Sequence, residues 1–125
     1  MNPIKRLNKN FAVCLFLAVA SVAIYGQVLS HGYSVLDDDD YVVQNRIVQA
    51  GLTAQGLKWA LTTDAVANWH PLTWMSHMLD CQIFGVRPGA HHAVNVLFHV
   101  ANSILLFWVL KSMTGTFWRL SLIHI

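Results

Sequence analysis

The chain has 125 residues, 55% of them hydrophobic and 11% charged, with a formal net charge of +2 and a mean hydropathy of +0.46. Water-soluble domains carry about 25% charged residues, so the composition argues against a freely soluble domain and for an all-α integral membrane protein. The small positive charge is dispersed, with no Lys/Arg patch interleaved with aromatics, and this sets nucleic acid aside as a partner.

Residues 11–29 read FAVCLFLAVASVAIYGQVL without a formal charge, close to the ~20 residues a helix needs to cross the hydrocarbon core. Lys5, Arg6 and Lys9 precede this run and all the acidic residues follow it. The positive-inside bias therefore puts residues 1–10 in the cytoplasm and the segment that follows on the far side of the membrane. A cleaved signal peptide has the same basic-then-apolar start, but the run exceeds the usual h-region of about 7 to 15 residues, so a retained first span is expected.

Residues 30–92 form the expected extracytoplasmic loop, and they hold all six acidic residues: Asp37, Asp38, Asp39, Asp40, Asp64 and Asp80. Four adjacent carboxylates repel one another, which can raise one pKa and leave another ionised, as a general base with an orienting partner requires. A solvated acidic turn is the plainer reading. The run lacks the alternating oxygen ligands and glycine of an EF-hand calcium loop. Tyr41-Val42-Val43 reads as a short extended or membrane-touching segment.

Two short amphipathic helices are predicted against the bilayer. Thr53 can cap one over 54–61, although Gly56 weakens it, and Pro71 suits the first turn of another over 71–84, ended by Gly85 and Pro88. In the second, Leu72, Met75, Leu79 and Ile83 form an apolar strip. Trp59, Trp69 and Trp74 suit the headgroup zone. His70 precedes Pro71 at a helix start, where free N–H groups attract phosphate, and otherwise serves as a polar cap. His77 reads as an interfacial residue. No ligand pair has the spacing of a zinc motif such as His-Glu-x-x-His, so no metal ligand is assigned. Nucleophile-elbow, phosphate-loop and dinucleotide fingerprints are absent from the sequence.

Residues 93–110, AVNVLFHVANSILLFWVL, form a second expected span that returns the chain to the cytoplasm at 111–119, where Lys111 and Arg119 fit the same charge bias. His92, Asn95, His99 and Asn102 recur at steps of three and four and so share one helix face. A polar stripe at that depth implies further helices to pack against. His91 and His92, where this run begins, are placed for substrate or lipid phosphate. Cys14 and Cys81 are expected at different depths and therefore unpaired.

The succession Leu36-Asp37-Asp38-Asp39-Asp40-Tyr41-Val42, Asn45, Gly51-Leu52-Thr53, Trp59-Ala60-Leu61-Thr62, NWHPLTWMSHMLDCQIFG and HHAVNVLFH resembles the start of bacterial polytopic membrane proteins carrying tetratricopeptide repeats. These are similar to transmembrane O-mannosyltransferases and, more distantly, to protein O-mannosyltransferases of the GT-C glycosyltransferase class. The resemblance extends over residues 11–118.

It implies a multi-pass protein of the bacterial inner membrane. The implied partners are the lipid bilayer, a polyprenyl-phosphate-linked sugar donor and an acceptor hydroxyl, which a protein can supply. An acidic residue of the first external loop would act as base. The implied acidic pair falls on Asp37 and Asp38, or on Asp38 and Asp39 if Tyr41 is matched to the family's aromatic. Arg46, His70, His91 and His92 are the local residues for the phosphate. No cofactor is implied outright, and a divalent metal is compatible with the resemblance.

Such enzymes have many spans and a repeat array of about 34-residue units, so these two spans are expected to be an N-terminal fragment of a GT-C bundle. Residues 120–125 read like the translation of a sequencing adapter and are expected to be a scar. A non-catalytic membrane anchor or scaffold for a repeat protein is the competing expectation.

Overall fold

A computed structural model describes residues 3–34 and 37–114, and every regular element among them is helical. Segment 115–119 with Arg119, and the expected scar at 120–125, lie outside the described residues. In chain order the elements are α1 (Pro3–Tyr25), a 3-10 extension (Gly26–Ser30), a single π turn (Asp39–Val43), α2 (Arg46–Gln49), α3 (Ala54–Thr62), a 3-10 turn (Ala65–Ala67), α4 (Pro71–Phe84) and α5 (Pro88–Thr114).

The chain divides into two compact units. The first combines Met1–Gln27 with Asn95–Ile125. Its helices carry the two stretches long and apolar enough to cross a membrane, Asn8–Ser30 and Pro88–Thr114, and only 6% of either apolar window is buried. The core helix of a soluble protein would be mostly covered. Here Phe11, Phe16, Leu97, Leu106 and Met113 face outward while Asn10 and Ser21 are buried, the inverse of an arrangement built for water. The Tyr25 ring meets His99 edge-on at 4.7 Å, and the Lys111 ammonium lies 4.5 Å from the centre of the Trp108 ring, a cation–π contact that suits a helix end at a headgroup zone.

The second unit, Val28–Val94, has its own core of Val42, Val48, Ala60, Trp74, Met78 and Cys81. Trp74, Met78 and Cys81 are spaced four and three apart on α4, so one face of that helix supplies half the core. Caps place the neighbouring elements. Thr53 Oγ1 accepts from Gly56 N at 3.0 Å to start α3, and Asn45 Oδ1 accepts from Val48 N at 3.2 Å to start α2. Pro71 opens α4 in its first turn, where no N–H is needed.

Gly56 has a packing reason for standing inside α3. A Cβ there would meet Met78 Sδ, Gly51 O and Thr53 Oγ1, each at 3.2 Å, so glycine lets α3 approach α4. Gly89 has a stronger one, because a Cβ would stand 2.5 Å from the Leu29 carbonyl oxygen.

Three local expectations change. Residues 41–43 are not extended: they complete the π turn, closed by Gln44 N donating to Asp39 O at 2.8 Å. The strand preference of two adjacent valines yields because Gln49 Nε2 donates to the Val42 and Val43 carbonyls at 2.9 and 2.7 Å. Trp74 is 0% exposed and forms the centre of the core, whereas Trp69 is exposed and Trp59 half-buried. The α5 helix begins at Pro88, ahead of the apolar run, so His91 and His92 lie within its first turns.

Candidate functional site

The acidic run divides by position. Asp37 and Asp40 are exposed, while Asp38 and Asp39 are half-buried. Asp38 is anchored, its Oδ2 accepting from Ser34 N at 2.7 Å. Its charge acts on the Tyr33 phenol and the His77 imidazole. Asp39 opens the π turn, an element found often at functional positions.

Tyr41, three residues after Asp38, is the centre of a wall of aromatic rings. Tyr41 stacks on Trp74 at 4.7 Å and on His70 at 5.4 Å, and meets His77 edge-on at 6.0 Å. His70 occupies the position before α4, yet its side chain makes no capping bond. It is held instead by stacking on Tyr41 and Trp74, with Nε2 buried and unpartnered. The preceding turn has left-handed backbone at Val66 and Ala67, φ 57° and 58°. For a β-branched residue that conformation stores strain.

His77 joins this wall to a second group. It is half-buried, its ring stacked on His91 at 5.9 Å and its Nδ1 buried without a partner. His91 is 3% exposed and Asp80 4%. His91 Nδ1 lies 3.8 Å from Asp80 Oδ2, beyond hydrogen-bond reach, and on the far side of the ring Nε2 lies 3.3 Å from Gly85 O and 3.9 Å from Cys81 Sγ. One ligand atom each from His77, Asp80 and His91 fall within 4.8 Å of one another. Tyr33 packs edge-on against His91 at 5.8 Å, its hydroxyl buried and unpartnered.

Burial dominates the electrostatics. It pushes the Tyr33 phenol up to about 12, with the Cys81, Asp38 and Asp80 charges adding to the rise. Burial lowers His77, neighbouring His91 lowers it further, and Asp38 pulls the other way. Burial raises the Asp80 carboxyl against the attraction of His91, and raises the Cys81 thiol, with Asp80 adding to it.

The residues expected to hold phosphate are therefore dispersed. His70 lines the aromatic wall. His91 faces a carboxylate, which disfavours an anion at that nitrogen. His92 Nε2 sits 3.2 Å from Gly32 O. Arg46 is exposed at the start of α2, beside a shallow depression lined by Ile47, Thr53 and Gln55, and among the described residues it pairs with none of the aspartates.

His77, Asp80, Tyr33 and Tyr41 were not assigned site roles from the sequence. The available signal was the step of three between His77 and Asp80, which places them on adjoining positions of one helix. Contact with His91 needed the turn at Gly85. Compared with protein-family models, curated proteins and solved structures, the chain matches none of them.

Proposed function

We propose that this chain is the N-terminal part of a bacterial inner-membrane glycosyltransferase. It would move a sugar from a polyprenyl-phosphate-linked donor to an acceptor hydroxyl, with residues 1–10 cytoplasmic and 30–92 extracytoplasmic. Short helices α3 and α4 lie against the bilayer in this reading, which accounts for the exposure of Leu72, Leu79 and Ile83.

The observation that carries the proposal is Asp38. It is the one aspartate common to both placements of the family's acidic pair, and it is also the carboxylate that a backbone N–H orients and whose charge acts on Tyr33 and His77. Asp38 takes the acceptor proton as the acceptor oxygen bonds to the anomeric carbon and the bond to phosphate breaks, with inversion. Asp37 and Asp39 flank it.

The test is transfer of labelled sugar from polyprenyl-phosphate-linked donors by membranes expressing the gene that continues this reading frame past Arg119. Asp38→Asn should lower transfer by about 10²-fold or more at equal expression. Unchanged transfer removes Asp38 as base and favours the anchor or scaffold reading.

A further inference from the structure

We propose that His77, Asp80 and His91 form a binding site for one divalent transition metal of the zinc class. The site is independent of the glycosyltransferase reading.

The donor set comes first. Two imidazole nitrogens and one carboxylate oxygen match the three-protein-ligand form of zinc sites that keep a fourth position for water or an anionic oxygen. Calcium and magnesium prefer six or more oxygens, and two imidazoles in three ligands disfavour both.

Geometry is the second argument. Tetrahedral bonds of about 2.0–2.1 Å place ligand atoms about 3.4 Å apart. His91 Nδ1 and Asp80 Oδ2 stand at 3.8 Å, and the whole set lies within 4.8 Å. Side-chain rotation of less than a bond length closes the rest.

Third, the second layer of contacts sets the required tautomer. His91 Nε2–H donating to Gly85 O at 3.3 Å leaves the lone pair on Nδ1, the atom that faces Asp80. A backbone carbonyl behind a ligating imidazole is the usual support of a metal-bound histidine. The buried Nδ1 atoms of His77 and His91 both lack a hydrogen-bond partner. Unpaired polar atoms so deep are costly, and a cation between them would satisfy both. Cys81 Sγ lies toward Nε2, the opposite edge of the His91 ring, so the thiol is not the fourth ligand.

The full chain, purified in detergent and stripped with chelator, is titrated with Co²⁺ and followed by visible d–d absorption, with Zn²⁺ as competitor. The expected result is one equivalent per chain with the strong absorption of tetrahedral cobalt, displaced by Zn²⁺. Affinity should fall about tenfold or more in His77→Gln, Asp80→Asn and His91→Gln, and be retained in Cys81→Ser and His99→Gln.

Absence of the absorption in folded wild-type chain overturns the site. So does wild-type affinity in all three ligand variants. X-ray absorption at the zinc edge of the wild-type chain needs no variant. A four-coordinate shell with two imidazoles supports the assignment, and a sulphur-containing or six-oxygen shell contradicts it.

Discussion

Trp74 and His77 are neighbours on α4 with opposite requirements. Trp74 needs apolar cover and has it: it is 0% exposed, stacked by Tyr41 at 4.7 Å and met edge-on by Trp59 at 5.0 Å. Trp74→Ala should destabilise the loop unit by about 3–5 kcal/mol, measured as faster cleavage in limited proteolysis and a lower thermal midpoint in detergent. Trp74→Phe should cost much less, because the indole N–H is buried without an acceptor and Phe removes that unpaired donor together with the lost area. The sequence reading put Trp74 in a headgroup belt with Trp59 and Trp69 because an indole serves either place equally well. Only the packing of Val42 and Val48 against α4 distinguishes them. The sequence reading ranked Asp38 first among the carboxylates only through the resemblance, and its orientation by Ser34 and its reach to His77 depend on the loop's conformation.

At the scale of elements, the parts governed by local rules were legible. Thr53 as the start of α3, Pro71 as the start of α4 and Gly85 as its end are capping and proline signals that need no tertiary partner. The π turn was not legible, since it depends on Gln49 donating to carbonyls six and seven residues earlier. Gln49→Ala should therefore loosen the acidic loop. Two carbonyls lose their donor, at about 1–3 kcal/mol for a buried one, and hydrogen exchange of the Gln44 amide, which closes the turn, should accelerate while that of α4 is unchanged. Gly89→Ala is expected to be more disruptive than an alanine substitution on the outer face of α5, because the obstacle at 2.5 Å is backbone rather than a movable side chain. The thermal midpoint of the two variants checks this.

On the scale of the whole molecule, α1 and α5 are long and apolar enough to cross a membrane and leave their apolar faces exposed, while the segment between them keeps a core of its own. The periodicity of the second span was enough to find the stripe of His92, Asn95, His99 and Asn102, and Asn95, His99 and Asn102 remain exposed along α5. Such groups in hydrocarbon call for partners from further helices. The proposed orientation has its own check: in a Cys14→Ser, Cys81→Ser background, Asp40→Cys should react with a membrane-impermeant maleimide in intact spheroplasts, and labelling only after lysis would reverse the topology.

The most direct measurement is sugar transfer by the complete protein with Asp38→Asn set beside Asp40→Asn. Asp38 is half-buried and oriented by Ser34 N, and Asp40 is exposed, so transfer should fall by about 10²-fold or more in Asp38→Asn and persist in Asp40→Asn. Equal activity of the two variants, at equal membrane abundance, would contradict the account.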